Sequence, residues 1–307
     1  MPSEALLPIR EVTRLTGVNP VTLRAWERRY GLIVPQRTGK GHRLYSQDDV
    51  QCIRQILTWL NCGVAVSQVR SLLEAAPSAA QAPPGSDWQT LREQLTEAIG
   101  ALAERRLEQH LNQAMALYPP ATLCQQLLMP LLADLELRWQ SQFAAHLEQV
   151  FFHSWLRSKL GARVYHNNHQ LGGAPLLLVN ASDLAFDPRL WLSAWLASNA
   201  GYPVQVFDWQ LPGNELPLAI ARLQPWALLL SVDKTLDLAR LQRNLANIEI
   251  PKLLCGRAVS IHNQALQTWS DETLFALDSP QAALNCLQQL SGRALNTTDN
   301  GQGFPCN

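Results

Sequence analysis

Apolar positions in the first quarter of the chain recur at helical spacing, in short blocks that glycines separate. Every third residue of 9–15 is apolar, which predicts a short amphipathic helix. Asn19 and Pro20 are favoured at a helix N-terminus, and Gly31 suits a helix end, so a second helix is expected through about Tyr30. Two short helices joined by a glycine-containing turn form the helix-turn-helix pattern.

Basic residues gather on this second helix and on the segment after it. Arg24 and Arg28 lie four residues apart and therefore share one helix face, which can reach phosphates or guanine edges. Residues 32–35 predict a short extended segment, residues 36–41 a glycine-containing turn, and residues 42–45 a second short strand. The pattern indicates a basic hairpin, or wing, beside the second helix.

The charge distribution along the chain supports this interpretation. Residues 1–76 hold 10 Lys+Arg and 6 Asp+Glu, whereas residues 77–307 hold 15 and 19, so a neutral whole contains a basic head and an acidic body. Such an asymmetry is typical of phosphate binding. A basic cluster taken alone is more often a solvated surface. Trp26 and Tyr30 fit either the core of the head or packing on a DNA backbone.

After the wing, the pattern stays helical to about residue 166. Ser46 caps one predicted helix, residues 66–74 form another, and the small-residue, proline-bearing stretch 75–87 is a linker expected to let the head adjust its angle to the body. Four helices follow, with a kink or joint expected at Pro130, and they suit a four-helix bundle.

From Pro175 onward, short apolar runs alternate with helical patterns. Five such runs predict the strands of a doubly wound, Rossmann-like parallel sheet, and ligands in such folds bind at the carboxyl ends of strands. The polar tail from Gly292 is expected to be disordered. The fold class is thus multi-domain α and α/β, with these predicted parts: 1–76 winged helix-turn-helix head, 77–87 linker, 88–170 helical bundle, 174–291 Rossmann-like domain and 292–307 tail.

Other classes of function find little support. The six cysteines are scattered without a C-x-x-C pair, which argues against structural zinc and disulfides and predicts reduced thiols in the cytoplasm. We expect no membrane span, because uninterrupted apolar runs are too short, and no signal peptide. Phosphate-loop, dinucleotide-binding and nucleophile motifs are missing from the sequence, so we predict no catalytic residue and no metal site.

Four segments carry a family resemblance. Residues 22–32 (TLRAWERRYGL), 35–37 (PQR), 41–45 (GHRLY) and 63–67 (GVAVS) resemble the MerR winged-helix DNA-binding domain, in particular its MlrA-like and CarH-like subgroup. The resemblance covers about the first quarter of the chain. It implies a homodimer that binds inverted-repeat promoter DNA, with the second helix in the major groove, and that works with RNA polymerase by distorting the promoter.

On this basis we predict the residues that contact DNA. The groove-facing candidates are Thr22, Arg24 and Arg28, and the phosphate-facing candidates are Arg37, Lys40, Arg43 and Tyr45. The full predicted set is Asn19, Thr22, Arg24, Trp26, Arg28, Arg29, Arg37, Lys40, His42, Arg43 and Tyr45.

The body resembles the cobalamin-binding module of the light-sensing members of this subgroup, but it departs from them at the ligand. Those relatives carry a cobalt-binding histidine in the loop after the first strand, whereas residues 180–187 contain none. In the bundle, Trp139 is followed by Glu148-Gln149 where the relatives have Glu-His. We therefore expect no cofactor, cobalamin included, and keep only weak candidates for another ligand: Trp139, Glu148, Gln149 and Ser182.

The sequence thus predicts a MerR-type, DNA-binding transcription regulator that is not an enzyme. Two alternatives stay open. One is a regulator that responds to cobalamin, light or another small-molecule effector. The other is a small-molecule-binding or enzymatic α/β body with an accessory DNA-binding head, which would rest on fold analogy.

Overall fold

The computed structural model describes most of the chain. The described residues are 6–74, 87–141, 145–182, 184–232, 237–269 and 271–299. The predicted linker 77–87 lies outside them except for Asp87, as do residues 300–307 of the predicted tail. By its internal contacts the chain divides into two compact units, Met1–Phe152 and His153–Asn307. The domain limits given above stay a prediction.

The helix-turn-helix forms as the sequence predicts. The Asn19 side chain accepts a hydrogen bond from the Thr22 amide at 2.9 Å, Pro20 occupies the first helical turn, and Gly31 ends the helix in the left-handed conformation. The last turn is a π-helix, which the sequence did not reveal. The helical elements of the head are α1 (Ile9–Thr16), α2 (Pro20–Ala25), the π-helical turn Trp26–Tyr30, α3 (Gln47–Asn61) and α4 (Val66–Glu74).

A small antiparallel sheet completes the head. Its strands are β1 (Leu7–Pro8), β2 (Gln36–Arg37) and β3 (Arg43–Tyr45), in the order β1-β3-β2. The predicted extended segment 32–35 is not part of the sheet, because pairing begins only at Gln36, opposite Leu44. The preceding stretch instead buries Leu32 and Ile33 in the core, and Pro35 has no N–H to offer to a ladder.

A series of helices fills the rest of the first unit. They are α5 (Asp87–Gly100), α6 (Glu104–Leu117), α7 (Pro120–Leu123), a π-helical turn (Cys124–Leu128), α8 (Met129–Ser141) and α9 (Ala145–Asn168), which continues into the second unit. The irregularity expected at Pro130 takes the form of this π-helical turn directly upstream. Proline removes one donor and crowds the preceding turn, and a wider turn is one way for a helix to accommodate both effects.

The second unit is a five-stranded parallel sheet with helices on both faces. The strands are β4 (Leu176–Asn180), β5 (Val204–Phe207), β6 (Ala227–Ser231), β7 (Lys252–Cys255) and β8 (Leu274–Leu277), in the order β5-β4-β6-β7-β8. The helices are α10 (Pro188–Asn199), α11 (Leu216–Leu223), α12 (Leu238–Leu245), α13 (Arg257–Gln267) and α14 (Pro280–Asp299). All five predicted strands are present, and the doubly wound arrangement is confirmed.

The apolar core of this unit explains the continuous apolar strands. Alternate residues such as Leu177, Leu228 and Leu254 pack with residues of α11, α12 and α13. The other face is covered by α10 and α14, which pack on each other. The tail prediction is wrong in part, because α14 continues from Gly292 to Asp299. None of the described helices is long and apolar enough to cross a membrane.

Candidate nucleic-acid interface

The helix formed by α2 and the π-helical turn has two contrasting faces. Arg24 and Arg28 are exposed, as are Arg29 and, at 58%, Val21. Leu23 and Trp26 are fully buried. Since residues three, four and seven apart share a helix face, Val21, Arg24 and Arg28 form one exposed stripe. This stripe is hereafter called the reading face.

The burial of Thr22 and Trp26 corrects the predicted contact set. Both side chains are 0% exposed, so neither lies on the reading face. The Thr22 hydroxyl has no hydrogen-bond partner among the described residues, whereas Trp26 Nε1 donates to the Leu117 carbonyl at 2.9 Å. Asn19 caps the first turn of the helix through its side-chain oxygen, and a DNA contact by this half-buried residue stays a prediction. These residues support the reading face from behind.

The wing is a tight hairpin whose tip is basic. Its loop closes through a hydrogen bond from the Thr38 amide to the His42 carbonyl at 2.9 Å and one from the Gly41 amide to the Thr38 carbonyl at 2.8 Å. Gly41 has φ +82°, a conformation that favours glycine. Lys40 and His42 are exposed at this tip. The predicted phosphate contacts at the tip are therefore accessible.

Glu27 ties the wing to the helix. Its carboxylate accepts hydrogen bonds from Arg37 Nη2 at 2.7 Å and from Arg43 Nε at 2.5 Å. Partial burial alone would raise the pKa of Glu27, but the hydrogen bonds and charges of Arg43 and Arg37 outweigh it and lower the pKa below its ordinary value. The carboxylate therefore stays charged at neutral pH and fixes both arginines.

Two predicted phosphate contacts, Arg43 and Tyr45, need correction because their side chains are largely or fully buried. The Arg43 side chain is only 12% exposed and is held by Glu27, so its observed role is to orient the wing. Tyr45 is 0% exposed, its hydroxyl has no partner among the described residues, and burial raises its pKa. The Arg37 side chain remains 50% exposed despite its ion pair and can still face a phosphate.

Sequence reasoning missed the part played by Glu27. Its partners lie 10 and 16 residues away, across a turn whose register the sequence did not reveal. The one available signal was a lone acidic residue inside the basic run of 24–29. Of the predicted contacts, the structure thus leaves these basic residues exposed, hereafter called the exposed basic set: Arg24, Arg28, Arg29, Arg37, Lys40 and His42.

Two of the three weak ligand candidates of the bundle, Trp139 and Glu148, make contacts within the protein. Glu148 accepts two hydrogen bonds from Arg138, at 3.0 Å and 2.9 Å, and this pairing lowers the pKa of Glu148. The ring of Trp139 packs 6.2 Å from that of Phe152. Gln149 is half-buried on the same helix, and the structure gives it no distinct role.

Ser182, in the second unit, lies in the loop after β4, the first strand of the parallel sheet. Its hydroxyl donates to Asn180 Oδ1 at 2.6 Å and accepts from the Leu184 amide at 3.3 Å. The Asn180 side chain also donates to the carbonyls of Leu184 and Asp208. This loop is closed on itself by hydrogen bonds. Within the described residues, no group of three or more His, Cys, Asp or Glu side chains could hold a metal ion.

A cavity of about 790 Å³ lies at the carboxyl ends of β4 and β6, the point where the strand order reverses. It opens on the sheet face covered by α11 and α12, with Val179 and Leu230 among its lining residues. Apolar side chains from Leu211, Leu216, Leu241 and Leu245 share it with the polar side chains of Gln210, Asp237, Arg240 and Asn244. Such a position is where open α/β sheets bind ligands.

Comparison with known proteins agrees with the helix-turn-helix head and with the helices that follow it. Residues 7–76 match the family model of MerR HTH family regulatory proteins, and residues 91–163 match a B12 binding domain. The HTH-type transcriptional regulator MlrA of Escherichia coli is 35% identical, over 66% of this chain and 79% of the relative. The HTH-type transcriptional repressor CarH of Myxococcus xanthus is 28% identical, over 73% and 77%.

A solved structure of the methanol:cobalamin methyltransferase complex MtaBC from Methanosarcina barkeri is also similar. It is 16% identical, with a TM-score of 0.34 over 73% of this chain and 89% of that chain. A match at this level supports no conclusion about activity.

Two predicted contacts of the head, Arg24 exposed on α2 and Tyr45 buried on β3, predict opposite outcomes on substitution. Arg24→Ala should lower affinity for a specific site by about 10- to 100-fold, the usual effect of losing one base contact. Tyr45→Phe should leave affinity within about twofold, since its hydroxyl is buried and bonds no described group. Fluorescence anisotropy with the natural upstream DNA measures both. Arg14→Ala, which removes an exposed arginine of α1 that pairs with Glu11, is the matched control for charge. Wild-type affinity in Arg24→Ala would overturn the assignment of the reading face.

Proposed function

The chain belongs to the MerR family of helix-turn-helix regulatory proteins, and we propose that it regulates transcription as a homodimer on an inverted repeat in promoter DNA. As a MerR-type regulator it binds double-stranded DNA. The observation that carries the proposal is the two-faced helix, whose exposed stripe of Arg24 and Arg28 stands beside a wing fixed by Glu27. The relatives MlrA and CarH are transcription regulators, so an enzymatic role for the body would rest on analogy of fold alone.

Each head would place the reading face in the major groove and the wing against the flanking backbone. Charge supports this placement, since the exposed basic set can approach bases and phosphates together. A dimer doubles these contacts. Such contacts are needed if the protein distorts the promoter to help RNA polymerase, because DNA deformation costs on the order of 1–6 kcal/mol.

A footprint of the full-length protein on its own upstream DNA tests this function. We expect protection of two half-sites related by a two-fold axis and separated by about one helical turn or a multiple of it. Affinity should fall steeply with salt, because each neutralised phosphate releases counterions. Protection of a single unrepeated site would contradict the dimer. Absence of protection by a folded protein would contradict the function.

We further propose that this regulator works without cobalamin as a cobalt-ligated cofactor. In support, the loop expected to provide the cobalt ligand contains Ser182 and no histidine. The Ser182 hydroxyl already forms hydrogen bonds with the Asn180 side chain and the Leu184 amide. The loop would have to give up these hydrogen bonds to admit another ligand. Nothing else in residues 184–187 offers an imidazole.

Spectroscopic titration with hydroxocobalamin tests this point. We expect the visible spectrum of the free cobalamin to stay unchanged, with no coloured species retained after gel filtration. Ser182→Ala, which removes the hydroxyl from the loop, should behave identically. A shifted cobalamin band that co-elutes with the wild-type protein would contradict the proposal and favour the cobalamin-responsive alternative.

The cavity at β4 and β6 favours a second possibility, that a different small molecule acts as effector. Its lining combines apolar leucines with the polar side chains of Gln210 and Asn244 and with the charged side chains of Asp237 and Arg240. This mixture suits an amphipathic molecule with an apolar body and a charged group, and Arg240 would favour an anionic group. The dye 1-anilinonaphthalene-8-sulfonate has this chemistry and is a practical probe. Its fluorescence should rise on binding to the native protein.

Two matched tryptophan substitutions locate the binding of this probe. Gln210→Trp places a large ring at the mouth of the cavity and should weaken dye binding by about tenfold, whereas Gln242→Trp, on the exposed side of α12, should not. Equal binding by both variants would place the dye elsewhere and remove the support for an effector site.

A further inference from the structure

The buried side of α2 and the π-helical turn, opposite the reading face, packs against the helical part of the same compact unit. Helix α2 packs against α6, and the indole of Trp26 is 0% exposed. Trp26 Nε1 donates to the carbonyl of Leu117, the last residue of α6, at 2.9 Å. A residue on the DNA-binding helix thus makes its polar contact with the body rather than with DNA.

A second attachment lies at the turn before α4. Trp88 Nε1, at the start of α5, donates to the Gly63 carbonyl at 3.0 Å, and the Val66 amide donates to the Tyr118 hydroxyl at 3.3 Å. The rings of Trp88 and Tyr118 pack with their centroids 4.2 Å apart. Burial raises the pKa of Tyr118 to about 12, so the hydroxyl remains neutral at physiological pH.

A third attachment lies at the end of α3. Thr122 Oγ1 donates to the side-chain oxygen of Asn61 at 2.8 Å, and Gln126 Nε2 donates to the Asn61 carbonyl at 2.8 Å. Gly63 also passes close to Gln126, since a Cβ there would lie 3.3 Å from Gln126 Oε1. Three separate points of the head are therefore fixed to the body, which restrains rotation of the head as well as translation.

We propose that the segment 117–126, with Trp88, is part of the DNA-reading apparatus, and that Trp26 is a positioning residue that sets the tilt of the reading face. The inference rests on the proposed DNA-binding function. These contacts join head and body independently of the linker, which was expected to let the head adjust its angle to the body and lies outside the described residues except for Asp87.

The physical consequence is selective. Hydrogen bonds to base edges depend on the orientation of Arg24 and Arg28, whereas attraction to phosphates tolerates a change of tilt. Loss of the Trp26 hydrogen bond leaves the Leu117 carbonyl without this donor and loosens the helix at one attachment. The ratio of specific to non-specific affinity should therefore fall, with little change in non-specific binding.

The experiment compares full-length Trp26→Phe with wild type on the footprinted operator and on an unrelated duplex of equal length, at one salt concentration. We expect operator affinity to fall about tenfold, the scale of one buried hydrogen bond, and affinity for unrelated DNA to stay within about twofold. Tyr45→Phe is the matched control. It also removes one polar atom from a buried aromatic ring of the head, but that hydroxyl bonds nothing among the described residues.

A substitution on the body side separates positioning from damage to the head. Thr122→Val removes the donor to Asn61, keeps nearly the same shape and leaves every residue of the head intact. It should lower the specificity ratio by about threefold to tenfold.

An unchanged ratio in both variants would overturn the positioning role, as would equal losses on operator and unrelated DNA. A wild-type protein that binds neither duplex would overturn the proposed function, and this inference with it. Failure of the inference alone is recognised by wild-type operator binding that both variants retain.

Discussion

The head of this protein depends on one short helix that must be buried on one side and solvent-exposed on the other. The apolar side supplies Leu23 and Trp26 to the interior, and the opposite side presents Arg24 and Arg28. Burial of large apolar side chains stabilises by about 1.5–3 kcal/mol each, which is enough to hold a short helix that would not persist alone. The reading face is ordered because its reverse is anchored.

The charges around this helix have to be reconciled with its stability. Several arginines close together repel one another in the absence of DNA, and Glu27 is the acidic residue that offsets two of them, the exposed Arg37 and the largely buried Arg43. Because it accepts from Arg37 and Arg43, one carboxylate both reduces the repulsion and fixes the wing against the helix. Its cost is that Arg43 is no longer free to meet a phosphate, so some positive charge serves orientation rather than affinity.

Much of the architecture could be predicted from local signals. Asn19, Pro20 and Gly31 determine where the helix begins and ends, and the apolar runs of the sheet are long enough to identify all five strands. What could not be predicted depends on distant partners. Tertiary packing, which leaves no periodic pattern in the sequence, determines three such features. They are the pairing of Gln36 with Leu44, the burial of Tyr45 and the hydrogen bond from Trp26 to the Leu117 carbonyl. The contact candidates erred for this reason: residue type predicted chemistry, while burial determined which side chains can use it.

Two roles can be compared for the helices that match a B12 binding domain. The first is ligand binding, for which one of the candidate residues, Glu148, is already paired with Arg138 within the protein. The other is to hold the head, and Trp88, Tyr118 and Thr122 provide for it directly. If Trp26 sets the tilt of the reading face as proposed, an event in the body that shifts these helices would change that tilt, since the same hydrogen bonds connect both. A coupling of this kind is reciprocal, so DNA that selects one tilt of the head would also favour one arrangement of the helices behind it.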